Sequence, residues 1–351
     1  MILADKIPLI YHSILEEILT ISFPQEKIAN CTSCNLCQTE KSPYLDIKCC
    51  NYFPFMTNFL LGGILSDTEE TSLIEGKRIV RELIKSKKGV TPYGILPHNS
   101  YSSTQKEIFK KENIFGTKEE MEQQKCPYLF DGNCSVWKYR EHLCVSFFCL
   151  SVGGKNGNHF WEKVDDLLNL VEQKLSKFVL LKLNWNVETI LSAKINQKCF
   201  EIENEDGSIN EENYKSLWGE WFGREEEFFI EAYKCIQDID KKAINEIIGI
   251  EFEILKKAIK SSSLTFEKNV YPEILVLQGN LIRELIGDKI QLISGEKSVE
   301  IDVISYSFIK LFDGTNNTVD VFQKAFTVLF SLNKSVDDLI EIGFLKKLKD
   351  Q

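Results

Sequence analysis

Apolar residues recur along this chain at two spacings, and the change from one to the other divides it. Near the N-terminus Ile10, Ile14, Ile18 and Ile21 recur every three or four residues and predict an amphipathic helix. Thr71 to Lys85 predicts a second helix, with Leu73, Ile79, Val80 and Leu83 as its apolar positions, before Pro92, Gly94 and Pro97 break regularity. Gly153, Gly154 and Gly157 predict a flexible or tightly turning connection. A long helix follows, because Phe160, Trp161, Val164, Leu167, Leu168, Val171 and Leu175 form a continuous stripe along one face. More helix begins near Asn210, carrying Trp218, Trp221, Phe222, Phe228, Phe229 and Tyr233, a set spaced for core packing, and continues from Ile236 to Ile259.

The serine run Ser261 to Ser263 interrupts that periodicity and predicts a boundary. Beyond it, Ile274 to Gln278 and Ile290 to Ile293 read as short strands. Val299, Ile301 and Val303 alternate with Glu300 and Asp302 as in a half-buried strand. Ile304 to Phe312, Val319 to Leu329 and Val336 to Ile342 predict three helices, with a turn at Asp313-Gly314. The expected fold class is α+β and mainly helical, in three regions: 1–157, 158–263 and 264–351.

With 351 residues, 43% of them hydrophobic, the chain can bury two or three ordinary cores. A net charge of −10 argues against nucleic acid and anionic membranes as partners, since both need a concentrated positive field. No run of about 18 apolar residues predicts a membrane span. Met1 to Ser22 contains Asp5, Glu16 and Glu17 and lacks the basic start and apolar core of a signal peptide. The expectation is a cytoplasmic chain with reduced thiols.

That expectation bears on the cysteines, of which nine of eleven fall in two groups: Cys31, Cys34, Cys37, Cys49 and Cys50, then Cys126, Cys134, Cys144 and Cys149. Disulfide frameworks are typical of small exported domains, so metal ligation is the better reading. Three cysteines with two-residue gaps can turn their sulfurs to one point and leave a fourth ligand to come from elsewhere, an arrangement suited to iron-sulfur ligation. Cys49 or Cys50 is the candidate fourth ligand, though successive side chains diverge in extended structure. In the second group Pro127 restrains the chain, the turn Asp131-Gly132 brings Cys134 back, and the gap from Cys144 to Cys149 fits a helical turn with a short extension. Four sulfurs can converge there as a closed zinc site or as an iron-sulfur site. One centre drawing on both groups and two separate sites are both open.

Cys126-Pro127-Tyr128-Leu129, Gly132-x-Cys134-Ser135-Val136-Trp137, Tyr139-Arg140 and Cys144-x4-Cys149 resemble the YkgJ-type cysteine-cluster family, a zinc- or iron-chelating domain. The resemblance spans roughly Asn30 to Gly157. That family's early form is Cys-x2-Cys-x2-Cys-Cys, whereas here eleven residues separate Cys37 from Cys49. Flagellin lysine N-methylases look related through a similar cluster, which implies a metal-dependent peptide- or protein-modifying enzyme as one alternative. A structural zinc module that presents the chain to a partner is another. In the tail, Ile304-Ser305-x5-Leu311-Phe312-Asp313-Gly314-Thr315, Val319 and Asp338 to Leu345 resemble a PqqD-like winged-helix module, which implies a peptide or protein partner.

Other chemistry is thin. His12, His98, His142 and His159 are more simply structural or exposed, although His142 and His98 could replace a cysteine ligand or transfer a proton. The acidic pairs Glu16-Glu17 and Glu69-Glu70 and the run Glu225 to Glu227 read as solvated helix faces. No phosphate loop, dinucleotide loop, His-Glu-x2-His or Gly-x-Ser-x-Gly motif is present, nor the Cys-x3-Cys-x2-Cys of common radical S-adenosylmethionine enzymes. Cys199 and Cys235 stand outside both groups, and Cys235 sits in an apolar helical pattern.

Overall fold

Helix formation starts weakly at the N-terminus. In the computed structural model, which describes residues 1–28, 48–68, 73–110, 117–185, 201–204, 206–237, 239–326 and 332–348, Leu3–Asp5 and Leu9–Tyr11 are single 3₁₀ turns and only His12–Leu15 (α1) is α-helical. The continuous helix expected through Ile10, Ile14, Ile18 and Ile21 is therefore not formed. Pro8 is extended at ψ 145° and starts a new turn, and the N–H groups of Leu3 and Ala4 donate to Ile21 and Leu19, folding the segment back on itself. The buried residues up to Ile18 are Leu3, Ile7, Pro8, Tyr11, Leu15 and Ile18.

A short strand Met56–Thr57 (β1) leads into Asn58–Ser66 (α2), in which every residue from Asn58 to Leu65 is buried. Such a helix has no polar face. Asn58 fixes where it begins: its side-chain oxygen accepts from Phe59 N at 2.8 Å, and its amide donates to the carbonyls of Pro92 (3.0 Å) and Ser176 (3.2 Å). Asn58→Ala orphans all three groups and is expected to cost about 3 kcal/mol. A urea midpoint equal to that of the wild type would contradict this account.

Leu73–Ser86 (α3) matches its expected helix, with Leu73, Ile79 and Val80 buried. Val90–Thr91 (β2) and Gly94–Ile95 (β3) make an antiparallel sheet of order β1-β3-β2. Asn99–Lys110 (α4) and Lys118–Gln123 (α5) follow, the second held by a capping box between Thr117 and Glu120. Then come the hairpin Leu129–Phe130 (β4) with Asn133–Cys134 (β5), and the short helix His142–Ser146 (α6).

Gly154–Lys182 (α7) is the long helix that the stripe predicts, and all seven residues of that stripe are buried. It starts earlier than expected, because Gly154 and Gly157 belong to it. A side chain at Gly157 would overlap Ser151 Oγ, so glycine here serves a close approach rather than a flexible link. Glu211–Trp218 (α8) carries Trp218 and Glu225–Gln237 (α9) carries Phe228, Phe229 and Tyr233, while Trp221 ends a 3₁₀ turn between them with Phe222 just after it, and α9 packs along α2. Trp218 meets Phe228 and Phe229 edge-on at 5.3 and 5.8 Å, as core packing requires. Trp221 is half-buried and Phe222 exposed.

Lys241–Ile248 (α10) and Ile250–Lys268 (α11) continue the helical region, α11 packing on α7. The interruption expected at Ser261–Ser263 is absent, and the limit drawn between 263 and 264 falls inside α11. Ser262 and Ser263 turn their hydroxyls back to the carbonyls of Ile259 and Lys260, which satisfies them within the helix. On the same helix Lys256 Nζ bonds Glu17 at 2.8 Å, and with Lys241 it holds the Glu17 carboxyl down at about 2. A carboxyl lowered on folding stabilises fully above its ordinary value near 4.5 and loses that contribution as the pH falls toward 2. The stability difference between Glu17→Gln and wild type is therefore expected at neutral pH, smaller in high salt because the Glu17 carboxylate is exposed, and nearly gone at pH 2. An unfolding series across pH checks it.

The tail holds two antiparallel sheets. Ile274–Leu277 (β6) is the middle strand of one; Ile282–Ile286 (β7), Lys289–Ser294 (β8) and Lys297–Asp302 (β9) form the other in chain order. Val303 leaves the expected strand, because Asp302 accepts from Ser305 N and caps Val303–Ile309 (α12). Asp313–Asn317 (β10) replaces the expected simple turn. Thr318–Phe326 (α13) and Leu332–Glu341 (α14) follow, and Leu345–Lys347 (β11) completes the first sheet as β10-β6-β11. Buried apolar residues form one continuous cluster from Leu3 to Leu345. The fold is α+β and mainly helical, and among the described residues no helix is long and apolar enough to cross a membrane.

Candidate metal centre

The second cysteine group is folded by its own short motifs. The β4–β5 hairpin pairs Leu129 with Cys134 and Phe130 with Asn133, and its turn places Asp131 at φ 47° and Gly132 at φ 71°. Two successive left-handed residues suit a tight hairpin, and Asp-Gly is a sequence that allows them. Ser135 locks the hairpin base by donating both its N–H (2.9 Å) and its hydroxyl (2.8 Å) to the Tyr128 carbonyl. A 3₁₀ turn over Trp137–Tyr139 then leads to Glu141, whose carboxylate caps α6 by accepting from Leu143 N and Cys144 N. Cys149 follows the end of that helix.

Part of the first group joins the second. Lys48–Cys50 is a 3₁₀ turn; Cys49 Sγ lies 3.8 Å from Cys149 Sγ, and the Cys50 carbonyl accepts from Cys126 N at 2.6 Å. The 3.8 Å separation is far beyond the roughly 2.05 Å of a disulfide. A helical turn aims the two adjacent residues differently, so Cys49 meets Cys149 while Cys50 sits beside Cys126. Cys31, Cys34 and Cys37, with Cys199, lie outside the described residues. Cys235 is half-buried on α9.

The descent toward the first three cysteines is anchored. Glu26 Oε1 accepts from Ser151 Oγ (2.7 Å) and Trp161 Nε1 (2.8 Å), and Oε2 from Val152 N (2.8 Å). Burial raises the Glu26 carboxyl against the effect of these bonds. Residues before position 29 are thus fastened to the chain just after Cys149. Glu26→Ala leaves three donors without their acceptor and is expected to cost about 3 kcal/mol, read as a lower unfolding midpoint; an unchanged midpoint would remove the anchor.

Without a cation, these sulfurs are held as thiols. Burial pushes Cys126 up, and the nearby Cys50 and Cys134 sulfurs add to the shift. Burial likewise raises Cys134, with the Arg140 guanidinium opposing it. Cys144 has one side open to solvent, yet its dense surroundings and the adjacent Glu141 carboxylate raise it further. A thiophilic cation reverses this balance, since each bound sulfur is then a thiolate neutralised by metal charge. Tyr128 adds a second sign: it is fully buried and its hydroxyl has no hydrogen-bond partner among the described residues. The donor set suits zinc or iron, both of which take four thiolates.

A polar network that the sequence reading missed lies directly behind α6. Ligand atoms of Glu141, His142 and Glu172 fall within 4.8 Å of one another. Tyr11 Oη and His142 N both donate to Glu172 Oε1 at 2.7 Å, and His142 Nδ1 and Ser146 Oγ meet Asp165 Oδ1 at 2.9 and 2.7 Å. Burial pushes Glu172 up to about 8. Burial opposes the charged form of His142, but Asp165, Glu172 and Glu141 together bring it up to about 9. Glu141 already gives both oxygens to backbone N–H groups, so the arrangement acts as a strut joining α6, α7 and Tyr11. The only sequence signal for it is Glu172 itself, an acid on the buried stripe of α7.

The other histidines are structural or exposed. His12 Nε2 is 2.9 Å from the Ile7 carbonyl, His98 Nδ1 accepts from Tyr101 N at the start of α4, and His159 is exposed beside Glu162. No family model, curated protein or solved structure matches this chain.

Proposed function

We propose that this chain is a metal-binding protein whose two cysteine groups hold an iron-sulfur cluster. Its ligands come from Cys31, Cys34, Cys37, Cys49, Cys50, Cys126, Cys134, Cys144 and Cys149. The observation that carries the reading is the approach of Cys49 and Cys50 to Cys149 and Cys126, which brings together thiols far apart in sequence. Packing alone does not need several half-buried thiols side by side, whereas a thiophilic metal does. The resemblance to the YkgJ-type family supports the same chemistry, in a cytoplasmic setting where thiols stay reduced.

Anaerobic purification followed by iron, zinc and acid-labile sulfide analysis of one sample tests the proposal. Iron with comparable sulfide supports it. Zinc without sulfide supports the structural-zinc alternative, and neither metal removes both.

A second reading is favoured by the tail: a peptide- or protein-modifying role, such as lysine N-methylation, guided by a PqqD-like winged helix. Three antiparallel strands precede α12, α13 and α14, and all of β7 is exposed, including Ile282, Leu285 and Ile286. An exposed apolar strand is a surface on which a peptide or protein partner can dock. The tail is tied to the centre, since Tyr271 N donates to the Val152 carbonyl and Asp337 accepts from both Tyr271 Oη and Lys155 N. Unmodified cellular substrates after deletion of the protein would support this role; unchanged modification would end it.

A further inference from the structure

Tyr128 stands between two candidate ligands in sequence and is fully buried. Its carbonyl is taken twice, by Ser135 N and Ser135 Oγ, so the hairpin fixes where the ring goes. Its hydroxyl nonetheless has no hydrogen-bond partner among the described residues, and the pairing of Leu129 with Cys134 and of Ser135 with the Tyr128 carbonyl sets the residue beside the hairpin cysteine, with the Cys126, Cys134 and Cys144 sulfurs within electrostatic reach. Phenylalanine would fill the same space without burying an unsatisfied donor.

Metal binding would supply the acceptor it lacks. A neutral thiol accepts a hydrogen bond weakly, whereas a metal-bound thiolate or bridging sulfide carries negative charge and accepts strongly. We propose that Tyr128 Oη donates a hydrogen bond to a metal-bound sulfur of the cysteine centre and so tunes that centre as a positioning residue. The inference rests on the metal-binding reading above. It assigns a specific role to a hydroxyl that the thiol-only chain leaves unsatisfied. Hydrogen bonds to cluster sulfurs are among the features that set reduction potentials, which makes the consequence measurable.

The test compares full-length wild type and Tyr128→Phe, each prepared anaerobically in loaded and metal-stripped form. Metal content is expected to be equal. Stripped Tyr128→Phe should melt at or above the wild-type temperature, because an orphaned donor has been removed. Loaded Tyr128→Phe should gain less from metal, releasing it to a chelator about tenfold faster. For an iron-sulfur centre the midpoint potential should fall, since loss of a hydrogen bond leaves more negative charge on the sulfur. For zinc, the sulfur-to-metal band of the cobalt-substituted protein should shift. Unchanged release, potential and spectrum in a loaded Tyr128→Phe protein would overturn this inference alone. Wild type that retains neither iron nor zinc would overturn the metal reading and this inference together.

Discussion

Cys134→Ser is expected to purify with less than about a tenth of the wild-type metal, while Cys235→Ser retains it in full. Cys134 sits on β5 opposite Leu129, in the hairpin that follows Cys126, and its sulfur is within electrostatic reach of those of Cys126 and Cys144. Serine keeps the shape but offers a hydroxyl that does not ionise at neutral pH, so one charged ligand is lost. The remaining thiols feel the same burial as before and must still give up their protons to bind. Cys235 lies on α9, whose buried residues pack on α2, and stands outside both cysteine groups in sequence. Metal and sulfide analysis of the two variants side by side decides the matter. Equal content would mean that the hairpin sulfur is not a ligand.

The contrast between these two cysteines was legible in the sequence, and what was illegible has physical causes. Spacing marked Cys126, Cys134, Cys144 and Cys149 as a group because the Asp131-Gly132 turn and the α6 segment are local structures with local signals. That Cys49 and Cys50 both belong beside that group was not legible, because no local pattern in the sequence marks the long-range approach of their 3₁₀ turn to Cys126 and Cys149. The long stripe of α7 was legible because one side of that helix stays polar. Helix α2 escaped for the opposite reason, since from Asn58 to Leu65 it is buried all round and shows no period.

Errors in the tail and at the N-terminus have the same origin. The apolar residues of β7 face solvent, so nothing in their pattern marks a buried face. Ser261 to Ser263 looked like a break because small polar residues interrupt the apolar periodicity, yet back-bonding hydroxyls let α11 run through. Ile10, Ile14 and Ile21 have helical spacing, but Pro8 and the pairing of Leu3 with Ile21 shift burial to Leu3, Ile7, Tyr11 and Leu15. The Glu141, His142, Asp165, Glu172 and Tyr11 network could not be read in advance. Its members come from three separate segments and no local pattern links them.

Gly62→Ala is expected to destabilise the protein by about 3 kcal/mol, although helix propensity alone predicts a gain of about 1 kcal/mol. The two effects have opposite sign, so one unfolding curve separates them. A Cβ at Gly62 would overlap the carbonyl oxygen of Phe229 on α9 and lie 2.8 Å from Tyr233 Cβ. Backbone cannot move aside as a flexible side chain can, and α2 and α9 would have to separate. Gly279→Ala is the matched control, because no atom lies within 4 Å of a Cβ there and it should be close to neutral. The neighbouring Gly63 extends the argument to the cysteine centre. A Cβ there would strike the Tyr139 ring, whose hydroxyl bonds Asp67 Oδ2 at 2.8 Å beside the Lys138 ammonium at 2.7 Å. Tyr139 lies between Cys134 and Cys144, so Gly63→Ala should lower metal retention as well as stability. A stable Gly63→Ala protein with full metal content would show that the hairpin sulfurs hold their positions independently of α2.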